Sequence, residues 1–184
     1  MHVSSILVMP IRLSIALAAF LMGCAASDQP RDISERRAEW AAEIATYPPQ
    51  TFTKDGLRAH YADTTTLDYS IPHGTQIAHL AANGTVYLWY PGNRAILRGE
   101  WKTEAPANGS AFAQICFRYG ANTFNPVTQR SGGTYNCVNA DLYIIYEDEY
   151  TKGDPYALST GRLPFVLDKD RRYTFADIDR QNAR

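Results

Sequence analysis

From about Thr65 onward apolar and polar residues alternate, and Asn-Gly pairs interrupt the pattern at Asn83-Gly84 and Asn108-Gly109. A period of two puts alternate side chains on opposite faces of a strand. Asn-Gly tolerates positive φ at both positions and so closes tight hairpins. Residues 76–82 and 85–90 therefore read as one hairpin, with Pro91-Gly92-Asn93 turning the chain again. Next, Leu97, Gly99, Trp101 and Thr103 alternate with Arg98, Glu100, Lys102 and Glu104, the pattern of a strand with one buried face. Asn108-Gly109 should turn into a strand over 111–119, where Ile115, Phe117 and Tyr119 share a face and Cys116 lies on the other. Strands joined this way pair antiparallel.

The helical signals gather ahead of the sheet. Asp32-Ile33-Ser34-Glu35 resembles a capping box, and Ile33, Trp40, Ala41, Ile44 and Tyr47 recur at helical spacing until Pro48-Pro49 stops them. A shorter helix opens at Thr53 with Leu57, His60 and Tyr61 on one face, although Gly56 weakens it. Past the hairpins lie a polar loop over 122–133, a strand around Tyr135-Asn136-Cys137, and a strand or short helix over 142–146. The acidic run Glu147-Asp148-Glu149, a turn at Gly153-Asp154-Pro155, a last strand over 162–167 and a fraying charged tail from Asp168 follow. The expected fold is α+β and mainly antiparallel β, a small sheet or barrel-like domain behind one or two N-terminal helices. It occupies residues 31–184 as one domain, helical over 31–62 and β over 65–168.

The N-terminus supplies an address. Leu13 to Met22 is apolar apart from Ser14, follows Arg12, and is too short to span a bilayer. The run ends in Leu21-Met22-Gly23-Cys24, which resembles the lipobox of bacterial lipoprotein signal peptides. That resemblance implies a signal over 1–23, diacylglycerol and acyl chains such as palmitate on Cys24, and a tether over 24–30. Residues 1–8 make an odd n-region, so Met9 is the expected start. Ala25 in place of Asp implies transfer to the outer membrane, facing the periplasm, with inner-membrane anchoring the other option. In a bacterial envelope the triplets at Asn83 and Asn108 read as turns, not sequons. Removing 1–23 takes one of 18 basic residues and none of 19 acidic ones. The mature domain is thus nearly neutral, with no electrostatic case for nucleic acid. Lipidation of Cys24 leaves Cys116 and Cys137, which an oxidising compartment would join; two buried free thiols are the alternative.

Tyr87-Leu88-Trp89-Tyr90-Pro91-Gly92-Asn93, Gly99-Glu100-Trp101-Lys102 and Ile115-Cys116-Phe117-Arg118-Tyr119 carry a second resemblance. It continues through Asn125-Pro126-Val127-Thr128, Cys137, Gly153-Asp154-Pro155-Tyr156, Ser159 and Gly161. Over roughly 50–168 the chain resembles a group of small exported α-proteobacterial proteins of unknown function. The resemblance implies export and paired cysteines but no chemistry. Gly99-x-Trp101 also resembles the Gly-x-Trp of lipocalins, although theirs lies near the N-terminus.

Motifs of catalysis are missing. His60, His73 and His79 match no zinc spacing, and neither a serine elbow, a P-loop nor a dinucleotide fingerprint occurs. No catalytic residue, metal or cofactor is expected. Glycan hydrolysis needs two carboxylates across a cleft. Asp141, Glu147 and Glu149 are candidates, but adjacent acids on a loop are usually solvated. The stronger candidate is aromatic: Trp89, Arg98, Trp101, Arg118 and Tyr119, with Tyr87 and Phe117, fall on neighbouring strands. An open face of rings and guanidinium groups would bind sugar, lipid or peptide; otherwise the rings form the core. The expected function is a non-enzymatic binding or envelope-scaffolding domain, with an envelope protein or cell-wall polymer as partner. A lipocalin-like ligand binder and an envelope glycan hydrolase are the alternatives.

Overall fold

The computed structural model describes residues 33–107 and 109–183. The signal, the Met9 start, Cys24, the tether and the Asp32 cap lie outside the described residues. In chain order the elements are α1 (Ile33–Ile44), α2 (Lys54–Tyr61), β1 (Thr64–Ser70), β2 (Gly74–Leu80), β3 (Thr85–Trp89), β4 (Leu97–Glu104) and β5 (Gln114–Tyr119). After them come β6 (Phe124–Asn125), β7 (Arg130–Ser131), β8 (Asn136–Asn139), α3 (Ala140–Tyr146), β9 (Glu149–Lys152) and α4 (Phe175–Asn182). Seven strands form one antiparallel sheet in the order β8-β5-β4-β3-β2-β1-β9, curved into a half-barrel. The fold is α+β and mainly β, as the alternation implies; β6 and β7 pair as a separate ribbon inside the polar loop.

The register places two sets of side chains back to back. Leu80 pairs with Val86, Ala78 with Leu88 and Trp101 with Phe117, giving one face to Ala78, Leu80, Val86, Leu88, Trp101 and Ile115. Leu57 and Tyr61 of α2, with Ala140 and Ile144 of α3, cover this helical face. The other face presents Leu67, Ile77 and Trp89 to Tyr156, Leu158, Leu167, Tyr173 and Ile178, and is the tail face. One sheet thus separates two cores, which is why Thr64, Thr65 and Thr66 are buried without alternation.

α2 begins where expected. The Thr53 hydroxyl accepts from the Gly56 amide at 3.1 Å, a standard N-cap. Gly56 has a structural reason: a Cβ there would lie 1.8 Å from the Gln50 carbonyl oxygen of the preceding 3-10 turn, Pro49–Phe52. Of the expected α1 stripe, Ile44 and the following Tyr47 pack against the helical-face core.

Three expectations are corrected. The second hairpin is not a tight two-residue turn, because β5 starts at Gln114 and not at 111. Residues 109–113 instead reach over to the helical segment, where the Ala113 amide donates to the Phe52 carbonyl at 2.9 Å and the Ala113 carbonyl accepts from Ala140 at 2.8 Å. Residues 162–167 form no strand. They lie irregularly over the tail face, with the Phe165 carbonyl taking the Trp89 indole N–H at 3.0 Å. Nor does the tail fray: Thr174 and Asp177 form a capping box for α4, which buries Ile178 completely.

Cys116 and Cys137 lie directly opposite each other on β5 and β8 and form a disulfide, with Cα atoms 4.0 Å apart. The bridge staples the β8 edge to the sheet.

Candidate functional site

The two tryptophans of the expected aromatic surface fill opposite cores. Trp101 is 2 % exposed on the helical face, its indole N–H bonded to the Ala81 carbonyl at 2.9 Å and the Arg58 guanidinium 3.9 Å above its ring. Trp89 is fully buried on the tail face. Arg98, Arg118 and Tyr119 do come together, lining a groove of about 460 Å³ with Thr85, Gly99 and Glu100. Arg118 is already matched: it donates to Glu100 at 2.5 Å, Tyr135 donates to the same carboxylate at 2.8 Å, and Lys102 and Arg118 sit against the Tyr135 ring. This exposed pair offers little to a ligand, and Arg98 is left as a groove cation without an ion-pair partner among the described residues.

A different set of residues gathers on the helical face. Tyr119 crosses over Gly99, and a Cβ at Gly99 would meet the Tyr119 ring at 2.7 Å. The Gly-x-Trp feature therefore combines room for one ring with burial of another. Tyr143, from α3, lies tilted against Phe117 with centroids 5.6 Å apart, meets Tyr61 edge-on at 5.1 Å, and hydrogen-bonds Thr66 at 3.5 Å. Asp68 projects from β1 on the same face and accepts from Gln76 at 3.0 Å. Asp68, Gln76, Phe117, Tyr119 and Tyr143 all keep partial exposure, unlike the closed cores beside them.

Glu147 completes the group. The chain leaves α3 at Tyr146 and enters β9 at Glu149, so its three consecutive acids point in different directions. Asp148 accepts from the Tyr69 amide at 2.9 Å and from Arg172 at 2.5 Å, while Glu149 accepts from the Phe175 amide at 3.2 Å. Glu147 turns inward towards Tyr61 and Asp68. The expected solvated run is thus a set of tertiary contacts plus one inward acid. Glu149 is bound up in a backbone contact, and the buried Asp141 leaves Oδ1 without a partner.

Burial raises both inward acids. Desolvation lifts Asp68 to about 7 against the Gln76 hydrogen bond, and lifts Glu147 to about 8 against Tyr61. Each acid has another carboxylate adding to the shift: Asp148 for Asp68, and Asp68 for Glu147. Desolvation likewise raises the Tyr61, Tyr119 and Tyr143 hydroxyls. The three histidines are dispersed: His60 sits among tyrosines, His73 bonds Tyr90 at 2.9 Å, and His79 bonds Thr65 at 3.3 Å on the tail face.

No family model, characterised protein or solved structure matches the chain. Function has to be argued from this geometry. Rings, an amide and two neutralisable acids on one partly open face suit recognition of a polar organic ligand. The pair Asp68 and Glu147 was not visible in the sequence, because they lie 79 positions apart and only β1–β9 pairing brings their segments together.

Proposed function

We propose that this chain is a membrane-anchored lipoprotein, held through lipid on Cys24 at the outer membrane and facing the periplasm, whose half-barrel is a non-enzymatic binding or envelope-scaffolding domain. The lipobox resemblance supports the anchor, and a structural disulfide suits an oxidising compartment. One observation carries the binding part: on the helical face, beside its closed core, Asp68, Phe117, Tyr119, Tyr143 and Glu147 form a partly open aromatic and acidic lining. The partner is an envelope protein, cell-wall polymer or smaller ligand that presents polar groups to that lining.

The test is purification of the full lipidated chain from native envelopes in mild detergent, with mass spectrometry of what travels with it. A stoichiometric companion lost in Tyr143→Ala supports the reading. A companion retained by that variant, or none at all, contradicts it.

A second reading, an envelope glycan hydrolase, draws on Asp68 and Glu147. Two raised carboxyl groups, with Asp68 adding to the rise at Glu147, are what general acid–base chemistry uses. Release of soluble fragments from purified cell wall, lost in both Asp68→Asn and Glu147→Gln, would favour it over binding alone.

A further inference from the structure

Four buried side-chain polar atoms among the described residues have no hydrogen-bond partner: His60 Nε2, Tyr61 Oη, Glu147 Oε2 and Asp141 Oδ1. Orphaned buried polar atoms are costly, so their location is informative. The first three belong to neighbours. The His60 and Tyr61 rings meet edge-on with centroids 4.7 Å apart, and Tyr61 faces Glu147. Tyr47 and Tyr150 stand 5.8 and 5.5 Å from the His60 ring, and Tyr143 stands 5.1 Å from Tyr61. Tyr47, Tyr61 and Tyr143 thus stand near one inward acid, and His60 and Tyr150 join the same cluster of rings. Tyr61 is fully buried at the floor, whereas Tyr150, at the other side of the cluster, is 48 % exposed.

Once ionised, at and above about pH 8, Glu147 also lacks a counter-ion. Among the described residues no Lys or Arg pairs with Glu147 or Asp68. Lys152, the nearby cation, is spent on the His60 carbonyl at 2.6 Å and the Thr64 hydroxyl at 2.9 Å. Burial lowers His60, so its ring is neutral and Nε2 can accept a proton-bearing donor. Three orphans able to accept, one of them on an acid, and a wall of π-faces describe a receptor for a compact cation with three donors. A quaternary ammonium has the charge but no donors, and a hydroxyl has a donor but no charge.

We propose that the box formed by Tyr47, His60, Tyr61, Tyr143 and Tyr150 beside Glu147 binds a primary ammonium group. The inference rests on the ligand-binding reading above and adds the chemical class. An amino sugar, an ethanolamine headgroup and a lysine-type side chain all present this group.

The experiment is isothermal titration calorimetry of the full chain in mild detergent at pH 8, where Glu147 is substantially ionised and an alkylamine is still an ammonium, with butylamine, butan-1-ol and tetramethylammonium. Saturable butylamine binding is expected, with no saturation by the alcohol and weaker binding of the quaternary ion. Glu147→Gln should lose about tenfold or more in affinity, and Tyr61→Phe should lose less, since it keeps the ring and removes one acceptor. Both replacements are close in shape, and a thermal midpoint no lower than the wild type's separates lost binding from lost folding. Equal binding of alcohol and amine would overturn the ammonium assignment and leave the binding reading intact. No butylamine binding would also overturn it, while a companion in native envelopes still decides the broader reading. Glucosamine, O-phosphoethanolamine and Nα-acetyl-lysine amide distinguish the sources: one that exceeds butylamine supports the assignment and names its origin.

Discussion

At the scale of single residues, position and burial decide what a side chain does. Gly99 was legible as a motif residue, but its task was not, because the Tyr119 ring that occupies its space comes from the neighbouring strand. Gly99→Ala should push that ring aside and cost about 1–3 kcal/mol, read from the denaturant midpoint. Glu147 was legible only as one of three adjacent acids. Which of them turns inward depends on where α3 ends, a tertiary outcome that the sequence pattern does not carry. The raised acids also set a pH dependence. Asp68 moves from 3.8 to about 7 and Glu147 from 4.5 to about 8 on folding. The folded state therefore holds these protons more tightly than the unfolded chain does. Their contribution to stability is fully present below about pH 4 and is lost as pH rises through 7 and 8. The thermal midpoint should fall across that window, and Asp68→Asn with Glu147→Gln should flatten the fall. A midpoint that rises from pH 5 to 9 in the wild type, beyond what the double variant shows, would contradict the assignment.

At the scale of elements, local signals were read well where local physics decides. The Asn83-Gly84 hairpin, the Thr53 start of α2 and the antiparallel pairing of Cys116 with Cys137 all follow from residues a few positions apart or from strand parity. Reduction or Cys137→Ala should cost roughly 3 kcal/mol by the loop-entropy argument, read as a shifted urea midpoint with β8 losing amide protection first. Errors fell where a distant segment intervenes. Residues 110–113 follow the helices instead of the hairpin, and 162–167 are taken up by Trp89 instead of a strand partner. α4 is different, since Thr174-x-x-Asp177 was a visible capping signal hidden in a charged tail. Thr174→Ala should cost about 1 kcal/mol of stability.

At the scale of the whole molecule, one curved sheet serves two cores, and this division places the site. The tail closes its face around Trp89, while the two helices covering the other leave the lining between Asp68, Tyr119, Tyr143 and Glu147 partly open. The strand content and its antiparallel order could be read from alternation. The second core could not, because its tail half has no regular period from 154 to 173. The most direct measurement is hydrogen exchange of the full chain with and without solubilised native envelope material. Added protection in peptides covering 117–119 and 143–150, absent in Tyr143→Ala, is the predicted result. Protection confined to the tail face over 154–178, or none anywhere, would contradict a binding site between the sheet and its helices.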